Sequence, residues 1–432
     1  MSKAITAVMM GAGLRGTHAY GPYALQHPDE LNFVAVAEPN EVRRRQFAEL
    51  HNIPVARQFR TWEELIAKGQ LADVAFNMTQ DQMHYRSTLA TLEAGYDMLL
   101  EKPMTTRLAQ TVHLVQTAEK HGRLLQVCHV LRYTSFFSTL HDILASGRLG
   151  EIMTVEHREN VVYWHMAHSF VRGNWRNEGL SSPMILAKCS HDLDLLYWNL
   201  GQPVEKLQSF GSLLHYRPEN APQGATERCT DGCPAAEGCP FDARKIYLEP
   251  NEQKWPATAI SDDQSLPARR RALETGPYGR CVYKCDNDVV DHQTLSMQFP
   301  NGASVVLFMH GHSHEESRTM RYDGTRATLR GKFDYHNGWI EIHDHVSNEC
   351  EQIHIPAGAS GHGGGDAGVV SSFVRAIRRE AEALTTARES LESHLMAFAA
   401  EESRLNGTVV DMNEFRQRAE ESTKRDTPHP PA

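Results

Sequence analysis

Short apolar runs alternate with amphipathic stretches over the first third of the chain, and the alternation predicts strand and helix in turn. Ile5–Met10, Phe33–Glu38, Val74–Met78, Met98–Leu100 and Leu124–Val130 carry strand character between helical segments. A series of this kind builds a mostly parallel sheet with helices on both faces, whose ligands bind beyond the carboxyl ends of the strands. The pattern then predicts a helix at Ser135–Ser146, a strand at Ile152–Arg158, a polar aromatic loop and a helix over about Met184–Leu200. Residues 217–288 lose periodicity in favour of Pro, Gly, Cys and charge, the composition of an irregular insertion. Strand character returns at Gln293–Phe299, Ala303–Met309, Thr319–Tyr322, Ala327–Arg330, Trp339–His343 and Glu351–Ile355. With Asn301-Gly302 and Asp323-Gly324 as turns, these runs predict an antiparallel meander. Helices at Ala367–Ala383 and Thr386–Asn406 close the pattern, and the Pro-rich segment from Ser422 reads as a frayed tail.

Composition narrows the classes. A chain of 432 residues exceeds the usual size of one core, so two domains are expected. With 41% hydrophobic residues and no apolar run of membrane-spanning length, membrane insertion is not expected. Met1 to Met10 lacks the cationic flank and long apolar core of a signal peptide, which points to a cytoplasmic protein. A net charge of −10 without a sustained basic run argues against a nucleic-acid partner, and Arg269-Arg270-Arg271 reads as a solvated loop. Eight cysteines in such a length do not suggest a disulfide scaffold, yet five cluster in the insertion. Cys229-x3-Cys233-x5-Cys239 and Cys281-x3-Cys285 lie where little apolar material is available to order the chain. Structural zinc held by Cys229, Cys233, Cys239 and Cys281, with Cys285 the competitor for the fourth place, is the expected remedy, free thiols or a disulfide being the alternatives.

Gly11-Ala12-Gly13-Leu14-Arg15-Gly16 follows the first strand and opens a helix, the context in which a G-x-G-x-x-G motif binds a dinucleotide. The first glycine permits a tight turn, the second lets the backbone approach a pyrophosphate, and the third lets helix and strand pack. Glu38 ends the next strand about 20 residues on, where a carboxylate accepts bonds from ribose hydroxyls and repels a 2′-phosphate. NAD is therefore expected over NADP, with Arg43 and Arg44 nearby as the contrary signal. Leu14 and Arg15 within the loop, and Thr79, His84 and Glu101 past the next two strands, complete the cofactor-binding candidates. The expected fold is α/β: a Rossmann domain over residues 1–130 joined to an α+β domain over 131–421. That second domain should carry a large, open, mainly antiparallel sheet and the insertion 217–288, followed by a flexible tail at 422–432.

At the fourth strand the chain reads Glu101-Lys102-Pro103, and with the glycine motif this resembles the Gfo/Idh/MocA family of oxidoreductases over nearly its whole length. In that family the lysine contacts both nicotinamide ribose and substrate, which makes Lys102 the first catalytic candidate. Met184-Ile185-Leu186-Ala187-Lys188-Cys189-Ser190-His191-Asp192-Leu193-Asp194 is similar to the family's second-domain motif, whose histidine exchanges a proton with the reacting hydroxyl. His191 falls on that position, and imidazole suits the role because it titrates near neutrality. Ala187 departs from the family, where many members carry an acidic residue, and Lys188 is expected to take part of the polar work.

The segment from Tyr163 to Arg176 mixes aromatic and polar residues as sugar sites do, with rings for C–H surfaces and Arg, His and Asn for hydroxyls. Tyr163 is a further catalytic candidate. His165, Arg172, Asn174, Trp175 and Arg176 are substrate-binding candidates, together with Asp192. His362 and Asp366, flanking a second glycine run, resemble a loop that borders the sugar site in some family members. The resemblance implies NAD-dependent hydride transfer at a secondary alcohol, C3 or its equivalent, of a sugar, glycoside or cyclitol. Relatives that oxidise transiently at C3, eliminate the aglycone, add water and return the hydride offer an alternative, glycoside hydrolysis with NAD recycled, which needs an additional base. A non-catalytic NAD-binding regulator is disfavoured because Lys102 and His191 are both present. Apolar strands such as Val305-Val306-Leu307-Phe308 in an open sheet also call for cover, so a homodimer or homotetramer is expected.

Overall fold

A computed structural model describes residues 3–249 and 254–423. Six parallel strands form the first sheet: β1 (Ile5–Met10), β2 (Leu31–Ala37), β3 (Gln58–Phe59), β4 (Val74–Asn77), β5 (Asp97–Leu100) and β6 (Leu125–Val127). Their order is β3-β2-β1-β4-β5-β6, so the direction of winding reverses between β1 and β4. That reversal opens a crevice at the carboxyl ends of the strands, where dinucleotides bind in such sheets. β1 reads as an unbroken apolar run because both its faces are covered. Val8 and Met10 join one core and Ala7 and Met9 the other.

The second sheet has nine strands: β7 (Ile152–Val162), β8 (Lys206–Ser212), β9 (His292–Gln298), β10 (Ser304–Ser313), β11 (Ser317–Gly324), β12 (Ala327–Phe333), β13 (Asn337–Asp344), β14 (Cys350–Pro356) and β15 (Val410–Asp411). Their order is β14-β13-β12-β11-β7-β10-β9-β8-β15. The expected meander is interrupted, since β7 enters between β10 and β11 and runs parallel to β10 while every other pairing is antiparallel. Alternation along β10 buries Val305, Leu307 and Met309 in the large core, and leaves Val306, Phe308 and His310 on the open face.

Several local expectations change. Asp323 and Gly324 belong to β11, and the turn falls at Thr325 and Arg326, because Gly324 lies against Leu149, whose carbonyl oxygen stands 2.1 Å from where a Cβ would be. The helix expected over Met184–Leu200 is broken into Met184–Ala187 and Ser190–Leu200. The helix Met412–Ser422 precedes the tail, whose residues 424–432 lie outside the described residues, as do 250–253 of the insertion. No helix among the described residues is long and apolar enough to cross a membrane.

The insertion does not present the expected zinc site among the described residues. Among the described residues no group of three or more Cys, His, Asp or Glu side chains stands in a metal-holding arrangement, and all eight cysteines are free. Cys229, Cys233, Cys239 and Cys281 do line one small cavity, but Arg172 shares it. The Arg172 guanidinium lies 3.6 Å from Cys229 Sγ and donates at 2.7 Å to the carbonyls of Arg280 and Phe241, so a fixed cation already occupies this centre. Arg228 donates to the Leu273 and Gly276 carbonyls, and Ala243, Tyr247 and Leu273 form a small core of their own. Burial by these side chains supplies order to a segment of polar composition.

Candidate active site

The strand ends of the first sheet deliver their next residues to the crevice. Gly11 stands at φ +89°, and a Cβ there would lie 2.4 Å from the Met78 carbonyl oxygen, so only glycine lets the chains leave β1 and β4 side by side. A Cβ on Gly16 would likewise meet the Gly11 carbonyl oxygen. Around Gly13 nothing lies within 4 Å of a Cβ position, so the loop keeps open the room that a pyrophosphate needs. Leu14 is exposed at the loop tip. Glu38 is buried just past β2, where its two oxygens accept from Ala12 N and Asn40 N, each at 2.9 Å. Open backbone at Gly13 and a carboxylate fixed beside it fit an NAD-type dinucleotide.

The Glu101-Lys102-Pro103 turn is tied on every side. Glu101 accepts from Arg15 Nε at 2.6 Å, Tyr20 Oη at 2.7 Å and Lys102 N at 2.8 Å. Burial alone would raise this carboxyl, yet Arg15 and Lys102 together hold it below the usual range. Arg15 reaches on to Asp366 at 2.8 and 3.1 Å, and His362 Nδ1 stands 3.0 Å from the same carboxylate. The glycine loop, the lysine turn and the second glycine run are thus brought together. His84 lies beneath them, its Nδ1 2.7 Å from the Pro103 carbonyl and its Nε2 3.0 Å from that of Thr79. Thr79 in turn donates to Asn77 Oδ1. Met104 N donates to His394 Nε2 at 2.9 Å, a partner nearly 300 residues away.

Lys102 Nζ donates to the Ala187 carbonyl at 2.7 Å. The break after Ala187 makes this possible, because a continuous helix would have used that carbonyl four residues on. His191, in the first turn of the next helix, is buried with its Nδ1 unpartnered. Burial first, then Lys102 and His129, hold its pKa well below the usual value, so the ring is neutral. Its neighbours include the His362 ring, 6.3 Å away between centroids.

Behind His191 runs a buried chain of charge. Lys188 Nζ lies 3.0 Å from Glu159 and 2.8 Å from Glu316, and despite its burial these carboxylates raise its pKa. Glu316 Oε1 also stands 2.9 Å from His165 Nδ1. Arg318 contacts Glu159 at 2.6 Å, Asp192 at 2.8 Å and the Tyr335 hydroxyl at 2.6 Å, while His157 holds Asp192 at 2.8 Å. Neither contact to Glu159 has hydrogen-bond alignment, and burial pushes that carboxyl up to about 7. Asp192 is consumed by these pairings and fully buried. Glu159, Glu316 and Arg318 were not singled out by sequence. The available signal was phase: along β7, His157 and Glu159 share the inward alternation of Val155 and Val161, and along β11, Arg318 shares that of Met320 and Tyr322.

The aromatic segment divides. His165 joins Glu316, while Tyr163 lines a recess with His215, Phe241, Tyr283 and His312. Trp175 Nε1 donates to Asp81 at 2.9 Å, and Asn174 is exposed. Arg172 turns into the cysteine cavity, and Arg176 pairs with Asp286 of the insertion.

Comparison with known proteins places this geometry. Residues 5–129 match an oxidoreductase family with an NAD-binding Rossmann fold, and residues 142–412 match that family's C-terminal alpha/beta domain. YteT of Bacillus subtilis (strain 168), described as an oxidoreductase, is 22% identical over 352 residues, 78% of this chain and 80% of its own. The scyllo-inositol 2-dehydrogenase (NADP(+)) IolW of the same organism is 27% identical over 198 residues, 45% of this chain and 51% of its own, so that match spans about half its length. Among solved structures, an oxidoreductase from Agrobacterium radiobacter in complex with NAD+, L-tartaric acid and magnesium shares the fold, with a TM-score of 0.68 at 15% identity over 95% of this chain and 99% of its own.

Proposed function

The chain belongs to the Gfo/Idh/MocA family of oxidoreductases, and from that premise we propose that it uses NAD to exchange hydride at a secondary alcohol, C3 or its equivalent, of a sugar, glycoside or cyclitol. The observation that carries this reading is the pairing of Lys102, held by the Ala187 carbonyl, with a buried, neutral His191 whose Nδ1 has no partner. NAD, when bound, supplies the hydride acceptor. His191 is free to take the hydroxyl proton, which requires the unprotonated ring that burial maintains. Lys102 directs an ammonium at the oxygen on which negative charge develops. Glu38 favours a free 2′-hydroxyl and hence NAD. IolW, named for an inositol, supports a polyol substrate. The open face of the second sheet, with Phe210 exposed and Val306 and Phe308 partly so, supports a homodimer or homotetramer packed through it.

A second reading draws on His165, Glu316 and Lys188. Net glycoside hydrolysis by transient oxidation, elimination and water addition needs a second proton-handling group, and His165, oriented by Glu316, is one. Tyr163, which lines a recess with His215 and His312, is a further candidate for that group. Incubation with NAD and a panel of sugars, cyclitols and aryl glycosides separates the readings. NADH absorbance with free polyols supports the dehydrogenase, aglycone release without net NADH supports the hydrolase, and neither signal across the panel refutes both.

A further inference from the structure

The insertion reaches the cofactor crevice. Asp262, near its centre in sequence, places Oδ1 2.7 Å from Arg43 Nε and Oδ2 2.8 Å from Asn40 Nδ2. Asn40 caps the helix Glu41–Leu50, its Oδ1 accepting from Val42 N and Arg43 N, and its own N–H donates to Glu38 Oε1. Asp262 is therefore fixed at the helix start that follows Glu38, where the adenosine ribose of a dinucleotide would lie.

Arg43 and Arg44 are cations of the helix that follows Glu38, and both are engaged. Arg44 Nη1 donates to the Glu38 carbonyl at 2.6 Å and more weakly to that of Pro39, and Arg43 is neutralised by Asp262. A 2′-phosphate would meet two carboxylates, Glu38 and Asp262, with Arg43 and Arg44 both already committed. We propose that Asp262 is a specificity-determining residue: the insertion uses it to withdraw Arg43 from the ribose and to set the preference for NAD over NADP. This rests on the dinucleotide reading above and adds to it a residue from outside the nucleotide-binding sheet. The pair is partly exposed, so its effect is one of charge and not of core packing.

Titration calorimetry with NAD and NADP, without substrate, tests the assignment in the full chain. Asp262→Asn keeps the shape and removes the charge, Asp262→Ala removes both, and Asp262→Glu restores the charge. The first two should shift the ratio of NADP to NAD affinity toward NADP by about tenfold, the scale of removing a unit charge from beside a doubly charged phosphate in a water-like dielectric. Added salt should narrow the shift, and Asp262→Glu should return toward the parent ratio. A parent that binds NAD, with both neutral variants at the parent ratio, overturns the role of Asp262 alone. A parent that binds neither dinucleotide overturns the cofactor reading and this assignment with it.

Discussion

Acidification from pH 7 to pH 5 should loosen the fold through His394, which anchors the lysine turn from the far end of the chain. Its ring is held in one neutral tautomer: Nδ1–H donates to the Ser390 carbonyl at 2.8 Å, and Nε2 accepts from Met104 N at 2.9 Å. A second proton on Nε2 would set it against the Met104 N–H. Burial first, then His129, lowers the pKa from 6.5 to about 3. The depressed value means that the unfolded chain binds more protons than the native one between those limits, so stability is lost as pH falls below 6.5. At pH 5 the linkage amounts to about 2 kcal/mol. Other buried histidines, among them His168 at about 3, push the parent in the same direction, so the parent alone is not diagnostic. His394→Gln removes this titration, at a cost of about 1–3 kcal/mol at pH 7 if Met104 N loses its acceptor. Urea unfolding of parent and variant at both pH values gives the readout: the parent's advantage should shrink by about 2 kcal/mol at pH 5. An advantage unchanged between the two would refute the reasoning, because the ring would then titrate alike in both states.

Arg318→Met should destabilise by about 3–5 kcal/mol, since Glu159 and Asp192 would remain buried without their shared cation. Thermal unfolding checks it, and a loss below about 1 kcal/mol would show that the pair carries little net charge. His191→Ala should leave NAD affinity nearly unchanged in calorimetry and slow the chemical step by about two to four orders of magnitude in single-turnover kinetics. Because the His191 pKa is depressed, the parent's oxidation rate should not fall as pH drops from 7 to 6, and a half-maximal rate near 6.5 would assign the proton to another group.

What the sequence determined by itself is what depends on near neighbours. The phosphate loop is legible because tight turns demand glycine at Gly11 and Gly16, and the two kinds of sheet because period-two and continuous apolar runs report how many faces are covered. Lys102 and His191 are candidates through motifs of a few residues. Pairing across the fold was decided by tertiary structure. No local pattern says that β7 enters between β10 and β11, yet that insertion sets Glu159 beside Arg318 and Lys188. Lys188, drawn to Glu159 and Glu316, sits at the helix break that leaves the Ala187 carbonyl to Lys102. The clustered cysteines suggested a metal, and only the fold delivers Arg172 to their centre. The physical reason is the same in each case: a buried charge takes its state from the partners that burial forces on it, and those partners lie tens to hundreds of residues away.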